Sequence, residues 1–508
     1  MNAFVDALGR VPPLLASHVL LSGSALVLGM LIAAPLAIWS ARRPAVARWT
    51  LGFASLVQTI PSLALLALFF PLLLSLRAFA PVPALGFLPA LLALTLYALL
   101  PLLRNGIAGL HGIDPGVIEA ADAVGMTAAQ KLRLVEAPLA APVAIAGLRT
   151  AATWTIGAAT LSTTVGCASL GDLIFAGLQT QSWALVLAGC AAAAGLALAV
   201  DLLIGLVERG VVTRRPPLWG GALAVLAAGL LVASAPLWRS AGVRTVVVGA
   251  KNFGEQFILA RLIGERLERA GFTVEYREGL GSAVIFGALA SGNVDVYVDY
   301  AGTIWTNEMR RTDVPRRAAM LRDIGGWTAA RGVRLVGPLG FENAYAFAMK
   351  QGDARARGIR TLDELAARSA DLRLGSDLEF LDRPEWKAVR RAYPMRFAEA
   401  TPYSPTFMYQ ALTSGRADVI SAFSSDGRIA ADRLAVLSDP KRAIPGYDAI
   451  LLAAPARAND AQFLAALRPL VGRIPVETMR AANYRVDRTD NKRTPEEAAR
   501  WLAGRVGL

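Results

Sequence analysis

Cysteine and histidine are almost missing from this 508-residue chain, which has two of each. Cys167 and Cys190 both fall in the first half, so the second half uses no disulfide, which neither supports nor excludes an oxidising compartment. His18 and His111 stand far apart, and these counts leave no material for a His/Cys metal site. Charge is scarce in one half only. Residues 1–240 hold 21 of the 91 Lys, Arg, Asp and Glu, and residues 241–508 hold the other 70. No Gly-x-x-x-x-Gly-Lys-Ser/Thr run occurs, so the chain carries no P-loop. The net charge of +13 forms no basic stripe and is not interleaved with aromatics, which argues against a nucleic-acid surface. No nucleophile–base set stands out, so an enzyme is not expected, and neither is a cofactor.

What the first half does have is apolar length. Six stretches are long enough to span a membrane, at 18–39, 51–75, 84–103, 139–165, 183–207 and 218–238. The first is followed by Arg42 and Arg43 rather than a small-residue cleavage site, so it reads as a retained helix and not a signal peptide. Cations set the orientation. Arg42, Arg43 and Arg48 follow the first stretch, Arg104, Lys131 and Arg133 the third, and Arg209, Arg214 and Arg215 the fifth. The other side has only Arg10 and Arg77. The positive-inside rule then puts the N-terminus, and everything after the sixth stretch, outside the cytoplasm.

From about 244 the pattern changes. Residues 245–249 are β-branched and read as a strand, 257–270 have helical spacing, 272–276 are extended, 283–289 are helical, and 294–300 alternate as a strand. This order predicts a parallel sheet wrapped by helices. It recurs with helix 362–368, strand 372–375, a helix around 409–412 and strand 417–422. The fold expected is therefore an all-α membrane domain over 1–240 and an α/β domain of two lobes over 241–508, with a ligand cleft between the lobes.

The inner segment 104–138 contains Glu119-Ala120-Ala121, then Gly125, then Val135-Glu136-Ala137-Pro138. Asp114 can cap a helix with Pro115 at its first position, Gly125 can end it, and Thr127 with Gln130 forms a capping box for the next. The segment resembles the EAA motif of ABC importer permeases, with Ala137 where Leu is usual. Gln58-Thr59-Ile60-Pro61-Ser62, Tyr97-Ala98-Leu99-Leu100-Pro101 and Ala146-Gly147-Leu148-Arg149-Thr150 are similar to the osmoprotectant branch, the importers of glycine betaine, carnitine or choline. Gln58 and Pro61 either line a translocation path or make a satisfied kink. Arg149 and Asp201 either pair within the membrane, or Arg149 sits near the cytoplasmic face.

The second half resembles the binding proteins of the same importers in Val248-Gly249-Ala250-Lys251-Asn252-Phe253-Gly254-Glu255-Gln256, in Gly279-Leu280-Gly281-Ser282 and in Tyr297-Val298-Asp299-Tyr300-Ala301-Gly302-Thr303. In the last run Val298, Asp299 and Ala301 replace the usual Pro, Glu and middle Thr. Phe341 to Tyr345, Tyr409 to Leu412 and Ser424 to Ile429 also match. A quaternary ammonium offers no N–H and is recognised by ring faces. The resemblance implies Tyr300, Tyr345 and Tyr409 as cage walls, with Tyr403 and Phe423 as further candidates. It implies Lys251, Thr303 and Arg383 as contacts for a ligand carboxylate. It further implies import of a quaternary ammonium compound, ergothioneine being an alternative to the osmolytes. The partners implied are a separate ATPase docking at Glu119, Ala120, Ala121 and Gly125, and a second copy of the chain. A ligand sensor would need a cytoplasmic signalling domain, and none is visible. An ion-driven transporter would have no use for the EAA segment.

Overall fold

The computed structural model describes residues 2–508 except 77–78, 80–81, 181, 239–244, 314, 378–379, 404 and 489. Arg77 and the expected boundary at 240/241 lie outside the described residues. The chain forms two compact units, one mainly of residues up to 242 and the other mainly of residues from 243.

In the first unit five described helices are long and apolar enough to cross a membrane: Val11–Arg42, Phe87–His111, Ala128–Val165, Trp183–Val212 and Pro216–Ala235. The second expected span differs. In place of one helix over 51–75, Pro44–Thr59 and Ser62–Leu76 meet at 102°, and the count reaches six only if this bent pair is one span. Pro61 has no N–H, and its ring drives Ile60 out of the helical region, to ψ 125°. The carbonyl of Ile60 accepts instead from the Tyr97 hydroxyl, and Gln58 Nε2 donates to the Tyr97 carbonyl at 3.3 Å.

The inner segment is shorter than the 104–138 expected, because one helix runs on to His111 and the next begins at Ala128. Between them Asp114 accepts from Gly116 N at 2.8 Å and starts the helix Pro115–Ala123. Gly125, at φ +78°, turns the chain, and the Thr127–Gln130 capping box opens the next helix. Lys131 Nζ closes the pair on both carboxylate oxygens of Asp122, at 2.6 and 2.8 Å. A π-helical turn, Leu132–Glu136, precedes Pro138 and lets a residue without an N–H sit inside a long helix.

The second unit has two five-stranded sheets. The strands are β1 (Thr245–Lys251), β2 (Thr273–Leu280), β3 (Val296–Tyr300), β4 (Arg334–Glu342), β5 (Tyr345–Lys350), β6 (Arg373–Asp377), β7 (Glu399–Tyr403), β8 (Val419–Phe423), β9 (Leu434–Val436) and β10 (Asp448–Ala453). Their orders are β2-β1-β3-β10-β4 and β7-β6-β8-β5-β9. The sheets are mixed rather than wholly parallel. β1, β2 and β3 run parallel, as do β6, β7 and β8, but β10 and β5 pair antiparallel with their neighbours. The antiparallel strands follow from the crossings. The chain leaves the first sheet at 343–344 and returns after β9, so β5 and β10 each enter a sheet from the linker side.

β3 lies inside its sheet, and all five of its residues are buried. Both faces of such a strand are covered, which explains its continuous Val-Tyr-Val run. The helices Gly254–Arg269, Val476–Asp487 and Pro495–Val506 pack together on this lobe through Ile258, Leu262, Met479, Val486 and Leu502.

Candidate ligand-binding site

The loops at the carboxyl ends of β1 and β3 meet those of the second sheet around a cavity of about 160 Å³. Ligands of α/β folds bind at this end of the strands. β1 ends in Lys251, and Phe253 follows as the residue before the helix Gly254–Arg269. β3 ends in Tyr300 and turns into Ala301–Thr303. The second lobe contributes Tyr345 from the start of β5, Asp377 from the end of β6 and Phe423 from the end of β8. Asn343 and Tyr447 come from the two crossings, and Asn483 and Asp487 from the helix Val476–Asp487.

Five aromatic rings line the cavity in a continuous chain across both lobes. Tyr300 and Phe253 have centroids 6.1 Å apart, and Phe253 and Phe423 lie 6.4 Å apart with planes only 2° from parallel. Phe423 meets Tyr345 at 4.9 Å, and Tyr345 meets Tyr447 edge-on at 5.9 Å. Gly302 makes room for the last of these, because a Cβ there would lie 2.4 Å from the Tyr447 ring. Against these rings sits the Glu255 carboxylate. It accepts from the Tyr300 hydroxyl at 2.6 Å, from Asn343 Nδ2 at 3.1 Å and from Asn483 Nδ2 at 2.8 Å. Gln256 Nε2 fixes the same phenol at 2.9 Å. Burial raises the Glu255 pKa, and the hydrogen bonds oppose that rise. Among the described residues Glu255 has no cationic partner.

The cations of the wall are held by other carboxylates. Lys251 Nζ bonds Asp299, which also accepts from the Tyr297 hydroxyl at 2.6 Å. Arg383 donates to both oxygens of Glu385, at 3.2 Å each, and Glu385 also accepts from Tyr447 and from Thr306. Arg428 donates to Asp426 at 2.9 and 3.1 Å. Next to that pair, burial lifts Asp487 to about 7.

Of the residues expected from sequence, the structure brings Lys251, Tyr300, Thr303, Tyr345, Arg383 and Phe423 to one cavity. Tyr409 is not on its wall. Its ring lies 4.1 Å beneath the Arg428 guanidinium and is buried among Met408, Leu412 and Ile420, so it supports the cavity from behind the Arg428–Asp426 pair. Tyr403 packs against the same group rather than lining the cavity.

Sequence reasoning missed Phe253, Glu255, Asn343, Tyr447 and Asn483 as site residues. Glu255 was in plain view in the first-turn position that a helix dipole favours, a role that needs no ligand. Asn483 lies mid-helix, far in sequence from the strands that end at the cavity, and carries no local signal.

In the first unit Gln58 and Pro61 both lie at the break between Pro44–Thr59 and Ser62–Leu76. Arg149 and Asp201 pair through two hydrogen bonds, at 2.9 and 2.8 Å, and Arg149 also reaches Glu208 at 3.1 Å. Glu119, Ala120 and Gly125 are exposed, and Ala121 is buried.

Residues 244–504 match the substrate-binding domain of ABC-type glycine betaine transport systems, and residues 25–213 match the inner-membrane component of binding-protein-dependent transport systems. The ergothioneine transport permease/ergothioneine binding protein EgtU of Helicobacter pylori is 29% identical over 90% of this chain and 83% of its own length. The choline transport system permease protein OpuBB of Bacillus subtilis is 39% identical over 38% of this chain and 84% of its own. A crystal structure titled as a glycine betaine/carnitine/choline ABC transporter is 26% identical, covers 51% of this chain and 98% of its own, and superposes with a TM-score of 0.45.

Proposed function

Because the chain belongs to the ABC-type glycine betaine transport family, as a permease fused to its substrate-binding domain, we propose that it imports a quaternary ammonium compound at the expense of ATP. One observation carries the ligand class. Glu255 is a buried carboxylate without a cationic partner, set among five rings. An isolated buried carboxylate is costly. A quaternary ammonium resting on the ring faces would supply the missing charge and would ask for no hydrogen bond. The osmolytes named for the permease relatives fit this chemistry. Ergothioneine, a trimethylated histidine derivative, fits it too, and a relative that matches along both halves of the chain is named for it.

In this reading the two lobes close on the ligand, and closure is driven by tighter binding in the closed form. Tyr300, Tyr345, Phe253, Phe423 and Tyr447 hold the cation, with Thr303 and Arg383 placed for a ligand carboxylate. The binding domain works outside the cytoplasm and delivers to a path past Gln58 and Pro61. The helix pair with Glu119, Ala120, Ala121 and Gly125 docks a separate ATPase, since no P-loop is present in this chain. Two copies of the chain complete the pathway. Fusion keeps the binding domain concentrated at its permease.

Calorimetry on the detergent-solubilised chain tests the ligand class. Glycine betaine, choline, carnitine and ergothioneine are titrated in turn, and the one that binds is repeated with Tyr300→Ala. Saturable binding that the variant loses is expected. No heat from any of the four would overturn the quaternary-ammonium reading and leave the family membership standing.

A further inference from the structure

The ligand site does not absorb the basic charge of the second unit, because each cation on its wall is held by a carboxylate. Part of the excess gathers elsewhere on the same lobe. Arg485 in the last turn of the helix Val476–Asp487, Arg488 just beyond it, Arg493 before the helix Pro495–Val506 and Arg500 within it line a concavity of about 440 Å³ around Trp501. Among the described residues that line it, the one acid is Glu497, which is already occupied. It accepts from Thr494 N at 3.0 Å in the capping box and pairs with Arg493 at 3.3 Å. The Arg485 guanidinium lies 3.7 Å over the Trp501 ring, and that of Arg505 lies 5.6 Å from it. Partial burial, and then the fields of Arg488, Arg505 and Arg493, lower the Arg485 pKa.

Like charges held this close repel, and an anion in the concavity relieves the repulsion. Guanidinium forks match the oxygens of phosphate in pairs. An indole beside them suits a membrane interface, where an amphipathic ring sits at headgroup level. We propose that this concavity binds phosphate-type anions, supplied by the headgroups of anionic phospholipids. A short tether to an apolar helix favours that source over free phosphate. Residues 239–244 are all that separate the apolar helix Pro216–Trp238 from β1, and six residues reach at most about 20 Å.

Hydrogen exchange on the full chain tests this in nanodiscs of phosphatidylcholine alone and of phosphatidylcholine with phosphatidylglycerol. Amides of 485–501 should exchange several-fold more slowly in the anionic discs. The difference should vanish in the triple variant Arg488→Gln, Arg493→Gln, Arg500→Gln, and in 1 M salt, where screening shortens to about 3 Å. A parallel arm adds inorganic phosphate to the detergent-solubilised chain. Protection there that the triple variant loses, with none in the discs, would keep the anion site and assign it to free phosphate. Equal exchange in all conditions, or protection that survives in the triple variant, would overturn the proposal.

Discussion

The ammonium of Lys251 and the carboxylate of Asp299 are bonded to each other inside the first lobe, 2% and 1% exposed. Lys251 closes β1, Asp299 sits on β3 next to it, and the Tyr297 hydroxyl takes the second carboxylate oxygen. β3 is otherwise an apolar, fully covered strand, so its one charge had to be matched from a neighbour. Asp299→Asn should therefore strand a buried ammonium and cost about 3–5 kcal/mol in denaturant unfolding. The double variant Lys251→Met, Asp299→Leu should recover most of that loss. A double variant no more stable than the single would show that the pair is worth more than its desolvation.

Glu255 gives binding a pH dependence. Burial raises its pKa, so the carboxyl takes up a proton above the usual carboxylate range. A cationic ligand needs the ionised form, and its affinity should fall as pH drops through that raised value. The sign for stability is opposite. Without ligand, the folded chain binds this proton more tightly than the unfolded chain. The stabilisation is then complete below the ordinary carboxylate pKa and is lost as pH rises through the raised one. Calorimetric affinity against pH for the parent and Glu255→Gln checks the first claim, and ligand-free thermal melts of both across the same pH range check the second. The variant should bind more weakly, and the fall in affinity on acidification should flatten. A parallel fall in both would place the titrating group elsewhere, with Asp487 the next to examine.

Arg149 offers a test in the first unit. Its fork holds Asp201 and reaches Glu208, joining the helices Ala137–Ala159 and Trp183–Val212. Charges in an apolar span persist when paired. Asp201→Asn should lower the thermal stability of the detergent-solubilised chain, and the exchange Arg149→Asp with Asp201→Arg should restore part of it. An Asp201→Asn chain as stable as the parent would mean that Glu208 or water already satisfies Arg149.

Much of this was legible before any coordinates, for physical reasons. Membrane helices announce themselves by length without charge, and strands by β-branched runs, whereas Lys251 and Tyr300 as site residues came from the motifs that carry the family resemblance. The capped helix pair at 114–131 followed from local rules alone, because caps depend on residues three or four apart. Other features depend on residues distant in sequence. Pro61 suggested a kink, but the 102° bend is stabilised by Tyr97, which lies on another helix. The resemblance offers Lys251 to a ligand carboxylate, because Asp299, which pairs with it in the structure, stands out in the sequence only as a departure from a motif. Tyr447 and Asn483 enter the site through the return crossing and a late helix, which no spacing reveals.

The contrast between Phe253 and Tyr409 separates wall from support. Phe253 faces the cavity and stacks toward both Tyr300 and Phe423, so Phe253→Leu removes a ring face while keeping apolar bulk. A cation–π contact of this kind contributes about 0.5–2 kcal/mol, so affinity should fall roughly two- to thirtyfold with little change in melting temperature. Tyr409 is 2% exposed in the second lobe's core, under Arg428. Tyr409→Leu should lower the melting temperature, since a buried ring is replaced by a smaller side chain. Its affinity should move less than that of Phe253→Leu, through the loosened Arg428–Asp426 pair. Calorimetry paired with thermal melts of the two variants reads both quantities. If Tyr409→Leu weakens binding more than Phe253→Leu while leaving the melt unchanged, then Tyr409 is a wall of the ligand-bound cage, and lobe closure must bring it past Arg428 to the ligand.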